Sequence, residues 1–266
     1  MIKKTMKLFI IFLLFSILLG GCNAASDKEE PVITISVAGS LIPVMAELEE
    51  AFYDTDPGFT IRFNYGGSGS LKQQILQGAE VDLFLFASLQ HTEDLQEQNL
   101  VHEELLVNLL GNRLMLITPK DQESVQDFED LLKEDIRRMA IGEPDSVPAG
   151  AYAKESLIHY GVHDGIQGAL IFGKDVRQIL TWVETGNVDA GLVYESDALS
   201  SDKIHKVVLA NEDSHTPILY PLGVLKDTEH MEEARILFEF LLEAKAKEIF
   251  ESFGFTVNPN RQDVLR

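Results

Sequence analysis

The sequence predicts an α/β fold arranged as two lobes, and three observations carry the prediction. Strand-like apolar runs alternate with periodic helical stretches for most of the chain, the pattern that packs helices against a sheet. Of its 266 residues, the 245 that follow the first 21 suit two cores of roughly 100 to 120 residues each. The final elements, a strand at LYPLGVL (219–225) and a long helix from about Glu232 to Phe253, resemble a return to the first half.

The elements follow from local pattern. VITISVA (32–38) is a strand, LIPVMAELEEAFYD (41–54) a helix, FTIRFNY (59–65) a strand, and SLKQQILQG (70–78) a helix closed by Gly78. VDLFLFA (81–87) is a strand, a helical stretch covers 91–98, and RLMLITP (113–119) is again a strand. A second set runs through RMAIGEP, AYAKESLIHYG, VRQILTWVETG, DAGLVYE and KVVLA. Crossing segments near Leu114 to Pro119 and Val207 to Asn211 are expected to form a hinge. They divide the chain into lobe 1 (32–113 and 212–266) and lobe 2 (114–211). There is no internal repeat and no low-complexity segment.

The chain opens MIKKTMKLFIIFLLFSILLGGC: three lysines, an apolar run from Leu8 to Leu19, two glycines and the sole cysteine. That order reads as an export signal over residues 1–21, because the run is too short for a bilayer span and no stop-transfer pattern follows. Leu19-Gly20-Gly21-Cys22 also resembles a bacterial lipoprotein cleavage site, which would make Cys22 a lipidated N-terminus; a buried apolar thiol is the other reading. Residues 22–31 then form a polar tether. Losing residues 1–21 leaves 245 residues, and the three lysines lost with them take the formal charge from −21 to −24. So acidic a chain does not suit nucleic acid or an anionic membrane surface. If the ligand is an anion, local donors and not net charge must hold it.

Four loops share one design, small or hydroxyl residues after a strand and directly before a helix. They are Ala38-Gly39-Ser40-Leu41, Gly66-Gly67-Ser68-Gly69-Ser70, Pro148-Ala149-Gly150-Ala151 and Lys174-Asp175-Val176-Arg177. The first N–H groups of a helix lack intrahelical partners and carry the positive end of the peptide dipoles, so such ends hold anions. Ser40 and Ser70 fit helix N-caps equally well, the glycines fit tight turns, and Pro148 fits a plain helix start. No Gly-Lys-Ser/Thr ends the glycine run, which argues against a nucleotide loop. The seven histidines are scattered without metal-ligand spacing. His215 follows Asp213 and Ser214, yet adjacency in sequence is not triad geometry.

Taken in order, ISVAGSL (35–41), NYGGSGSLKQQILQGAEVDLFLFAS (64–88), LLGNRLMLITPK (109–120), IGEPDSVPAGAYAKESL (141–157), VETGNVDAGLVYESDA (183–198), Tyr220-Pro221 and EIFESFGF (248–255) resemble the molybdate-binding proteins of ABC importers. Those extracytoplasmic receptors deliver molybdate or tungstate to a membrane permease. The resemblance implies a two-lobed periplasmic-binding-protein-like fold of type II, with the ligand cleft between the lobes. It implies Ser40 and Ser68 as donors from lobe 1, Ala149 and Val176 as backbone N–H donors from lobe 2, and Tyr194 as a phenol donor. It further implies a monomeric, non-enzymatic lipoprotein with no cofactor, whose partners are the oxyanion, an ABC permease and its ATPase. Two features depart from the family pattern: Phe86 in the strand before Ala87-Ser88, and the acids Glu143 and Asp145 beside the Val147-Pro148-Ala149 loop. An archaeal branch uses carboxylates to complete an octahedral oxyanion; Tyr194 and the Pro-Ala-Gly loop favour the tetrahedral mode. The rival readings are a tungstate, sulfate or phosphate receptor of the same fold, and an enzyme or sensor on that scaffold.

Overall fold

The computed structural model describes residues 30–257; the segment expected to be an export signal (1–21), Cys22 and all but the last two residues of the expected tether (22–31) lie outside them. The described chain forms two mixed sheets. The first has the order β11-β4-β10-β3-β1-β2, from β1 (Val32–Ala38), β2 (Thr60–Gly66), β3 (Leu83–Leu85), β4 (Val101–Gly111), β10 (Leu219–Leu225) and β11 (Thr256–Val257). The second has the order β7-β6-β8-β5-β9, from β5 (Leu114–Pro119), β6 (Met139–Gly142), β7 (Leu170–Gly173), β8 (Ala190–Tyr194) and β9 (Ile204–Leu209). In sheet one β1 runs parallel to β2 and β3; in sheet two β6 runs parallel to β7 and β8. The remaining pairings are antiparallel. Ligands of open α/β sheets gather at the carboxyl ends of parallel strands. Six such ends are therefore available, three in each lobe.

The strands β1 and β3 are buried almost throughout, as expected where helices cover both faces. α1 (Ile42–Tyr53) turns Val44, Met45, Leu48 and Phe52 inward, and Phe52 meets Phe240 edge-on at 5.0 Å. α2 (Ser68–Leu76) and α3 (Leu89–Glu97) follow β2 and β3. In lobe 2, α4 (Pro148–His159) follows β6, then come α5 (His163–Ile166) and α6 (Val176–Glu184). α6 buries Val176, Ile179, Leu180 and Val183, the i, i+3, i+4, i+7 stripe of an amphipathic helix. α7 (Glu195–Leu199) is short, and α8 (Met231–Leu241) with α9 (Ala244–Ser252) return to lobe 1.

The structure differs from the sequence reading in five places. The strand β4 was not expected: its front half, VHEEL, carries three polar residues, which masks the buried run Leu105–Leu110 behind them. The long helix expected from Glu232 is two helices, broken where Glu243 takes an extended conformation at ψ 161°. The strand at 81–87 narrows to Leu83–Leu85, although Asp82 and Phe86 still donate to Thr34 and Pro221 carbonyls beside it. The two segments assigned to the hinge are neighbouring antiparallel strands of sheet two, and the chain passes between sheets at 112–113 and 210–218 instead. Ser70 does not cap a helix; α2 begins at Ser68 with Gly67 in the cap position, and Ser70 is exposed in its first turn.

Candidate functional site

The carboxyl ends of the six parallel strands face one small hollow, whose space of about 220 Å³ includes open solvent. Ala38, Gly39 and Ser40 enter it after β1, Gly66, Gly67 and Ser68 after β2, and Ala87 after β3. Val147, Pro148 and Ala149 come from the start of α4, Asp175 and Val176 from the start of α6, and Tyr194 from the end of β8. Ser40, Ser68, Ala149, Val176 and Tyr194 all line it, and none is more than 3% exposed. Glu143 and Asp145 do not line it, and Asp145 is exposed. Phe86 is wholly buried against Phe84, 4.7 Å away, and its departure from the family pattern is a matter of packing.

The donors have identifiable directions. Ser68 Oγ accepts the Ala87 N–H at 3.0 Å, so a lone pair is occupied from behind and the hydroxyl proton is free to point into the cavity. Ser40 Oγ is 3.1 Å from the Tyr220 hydroxyl, and Ser40 lies within the 3-10 turn Gly39–Leu41, whose cap position is Ala38. In α4, Pro148 occupies the first turn, and Gly150 makes the first backward bond, to Val147 at 2.8 Å. The N–H of Ala149 thus belongs to the set that a helix start leaves over. In α6 the Asp175 carboxylate caps the helix by accepting from Gln178 N–H at 2.8 Å, which leaves the Val176 N–H. The Tyr194 hydroxyl is fully buried and has no hydrogen-bond partner among the described residues. Burial holds its pKa well above 10, so the phenol is a donor at any physiological pH. A buried hydroxyl without a partner costs about 1–3 kcal/mol. That cost is the mark of a group kept for something other than stability.

The cavity is closed by direct contact between the lobes. Gly69 N–H donates to the Ser146 carbonyl at 3.1 Å, and the Tyr152 hydroxyl reaches the Ala87 carbonyl at 3.4 Å. A Cβ on Gly67 would stand 3.1 Å from Ser146 O and 3.2 Å from Lys174 O, and one on Gly69 only 2.8 Å from Ser146 O. The glycines of this loop therefore serve close approach of the opposite lobe; neither residue has positive φ.

Two charges bear on the site. Among the described residues, Asp175 is the only carboxylate in the lining. Asp197, 1% exposed, forms an ion pair with Arg177 at 3.7 Å, too far for a hydrogen bond, and its oxygens have no hydrogen-bond partner among the described residues. Burial raises its pKa to about 7, with Arg177 partly offsetting the rise. A larger hollow of about 970 Å³, which includes open solvent, lies at the amino ends of β1 and β2. Its buried carboxylate, Asp82, is already spent on the Thr34 N–H and the Thr228 hydroxyl. Convergent unspent donors are found at the small cavity.

Sequence reasoning gave no role to Tyr220 or Asn112, which stand directly behind Ser40: Asn112 Nδ2 is 3.1 Å from the Tyr220 hydroxyl. Tyr220 is 180 positions from Ser40, so only the fold reveals the pairing. Both residues fall inside motifs that carry the family resemblance, and that was the available signal.

Fold and site define a two-lobed receptor of type II binding-protein architecture, with a buried pocket for a small solute. Residues 33–256 match the bacterial extracellular solute-binding proteins, and the chain belongs to that family. It is 41% identical over 258 residues to a Bacillus subtilis (strain 168) protein provisionally described as an ABC transporter substrate-binding lipoprotein, covering 95% of this chain and 98% of that one. It is 30% identical over 260 residues to the molybdate-binding protein ModA of Haemophilus influenzae, covering 96% and 99%. Among solved structures it resembles the substrate-binding domain of a provisionally described molybdenum ABC transporter from Clostridium difficile. The TM-score is 0.67 at 40% identity, over 85% of this chain and 98% of that one. These relatives are solute-binding proteins and not enzymes. The protein works outside the cytoplasm, as its family does.

Proposed function

We propose that this protein captures tetrahedral molybdate, with tungstate as a second ligand, and delivers it to an ABC permease and its ATPase. One observation carries the reading: five donors from both lobes converge on one buried cavity without an arginine or lysine in its wall. Each hydrogen bond to a charged oxygen is worth about 1.5–3 kcal/mol net, so a handful offsets the desolvation of a dianion. Local donors thus hold an anion in a chain of formal charge −21. The molybdate-binding relative and the molybdenum-transporter neighbour support the choice of ion. Binding between the lobes stabilises the closed form, which the permease then recognises.

Sulfate has the same charge and shape, so only cavity size can exclude it. Hydrogen phosphate needs an acceptor for its proton, and Asp175 is the group that could supply one. Its Oδ1 already accepts the Gln178 N–H, and Oδ2 is the oxygen left for such a proton. A thermal-shift panel of molybdate, tungstate, sulfate, phosphate and chromate tests the assignment. Binding to the native state adds about 2.7 kcal/mol at a hundredfold excess over Kd. The expected result is a large rise with molybdate and tungstate; no rise with either rejects the reading, and a phosphate rise moves it to Asp175.

We also propose that the protein is monomeric and lipid-anchored through Cys22. The Leu-Gly-Gly-Cys run and the lipoprotein relative support the anchor. Cys22→Ser is expected to move the protein from the membrane to the soluble fraction; unchanged fractionation would contradict the anchor.

A further inference from the structure

We infer that Asn112 and Tyr220 form a one-way hydrogen-bond relay that fixes the direction of the Ser40 proton, making Ser40 an obligate donor to the bound oxyanion. The inference rests on the proposed oxyanion function and adds two positioning residues to it.

The direction follows from the fixed end of the chain. Asn112 Oδ1 accepts the Arg113 N–H at 2.8 Å, which settles the orientation of the side-chain amide. Its Nδ2 group, which can only donate, therefore faces the Tyr220 hydroxyl at 3.1 Å and Ser196 Oγ at 2.8 Å. With its oxygen accepting from Asn112, the Tyr220 hydroxyl donates to Ser40 Oγ, 3.1 Å away. Tyr220 is 0% exposed and absent from the cavity wall, whereas Ser40 lines it. Ser40 is thus the acceptor available to the Tyr220 proton, and the proton of Ser40 is left for the cavity. Burial holds the Tyr220 phenol protonated, as the relay requires. Ser68 is backed in the same way by the Ala87 N–H. The two serines of lobe 1 are both polarised toward the ligand, one by the backbone and one by this side-chain pair.

Apart from Asp175, such a wall donates and does not accept, which distinguishes a bare dianion from a protonated one. Without Tyr220, the Ser40 hydroxyl can rotate and accept. Tyr220→Phe is then expected to weaken molybdate about tenfold and to lower the ratio of molybdate to hydrogen arsenate affinity. Asn112→Asp, which presents an acceptor to Tyr220, is expected to weaken molybdate further than Tyr220→Phe.

A double-mutant cycle read by isothermal titration separates positioning from packing. Acting only through Ser40, Tyr220→Phe should add less than twofold to the loss already caused by Ser40→Ala. Additive losses, or wild-type affinity and selectivity in Tyr220→Phe, would overturn the relay while leaving the function intact. Failure of the wild-type protein to bind molybdate would instead overturn the function. The relay is then decided by neutron diffraction from crystals grown of the wild-type protein, with the Tyr220 deuterium expected on the line to Ser40 Oγ and refuting the relay if it points elsewhere.

Discussion

Replacing Tyr194 by Phe should weaken the ligand without weakening the fold, an unusual pairing for a fully buried residue. The substitution removes one hydroxyl and keeps the ring, including its edge-on contact with Tyr220 at 5.8 Å between centroids. Because the hydroxyl has no partner among the described residues, its removal relieves a desolvation cost of about 1–3 kcal/mol in the closed form. In an opened cleft water reaches the hydroxyl and the relief shrinks toward zero. The ligand-free protein should therefore melt at the wild-type temperature or above it, by about 2–4 °C for each kcal/mol relieved. Molybdate should lose one charge-assisted bond, about 1.5–3 kcal/mol, which is about 10- to 150-fold in Kd. Isothermal titration gives the second number and thermal unfolding without ligand the first. A lower melting temperature, or an affinity within twofold of wild type, would refute the assignment of this phenol as a ligand donor.

Other substitutions separate further parts of the site. Ser68→Ala should cost affinity by about tenfold or more and also stability by about 1–3 kcal/mol, because it strands the buried Ala87 N–H; a variant that melts like wild type by calorimetry would contradict the bond. Gly69→Ala should hinder closure, since its Cβ would meet Ser146 O at 2.8 Å and His91 Nε2 at 3.1 Å; small-angle scattering should show less compaction on adding molybdate, and full compaction with wild-type affinity would contradict the account. Asp197→Asn should flatten the pH dependence of stability. The folded carboxyl titrates near pH 7 against an ordinary 3.8, so the folded state holds a proton that the unfolded state has lost. Stability thus falls as pH rises from about 4 to 7, by roughly 4 kcal/mol at about 1.4 kcal/mol per pKa unit, and the loss is complete above 7. The variant should therefore be the more stable protein at pH 8 and close to wild type near pH 4; lower stability than wild type at pH 8 would refute the burial cost.

The α/β class was legible because strands such as 32–38 and helices such as 176–184 carry their own periodicities. The strand 101–111 was hidden because its polar front half broke the pattern that its buried rear half would have shown. The break near Glu243 contains no glycine or proline to mark it. Within the site, the helix-start loops announced backbone donors through their small residues, since that chemistry is local. Tyr194 needed the family resemblance, because a strand tyrosine looks the same whether its hydroxyl meets solvent, a core partner or a ligand. Tyr220 and Asn112 could not be read at all as neighbours of Ser40; their role exists only through contacts 180 and 108 positions apart along the chain. Ser70 looked like a cap and is not one, because the helix starts two residues earlier with Gly67 in the cap position.

The most direct test of the donor cavity is the position of the metal centre itself. Anomalous scattering at the molybdenum edge from crystals grown with molybdate should give one strong peak inside the cavity. Its oxygens should lie within hydrogen-bond distance of Ser40, Ser68 and Tyr194 hydroxyls and of the Ala149 and Val176 N–H groups. A peak elsewhere, or an oxyanion completed by the carboxylates of Glu143 or Asp145, would contradict the account.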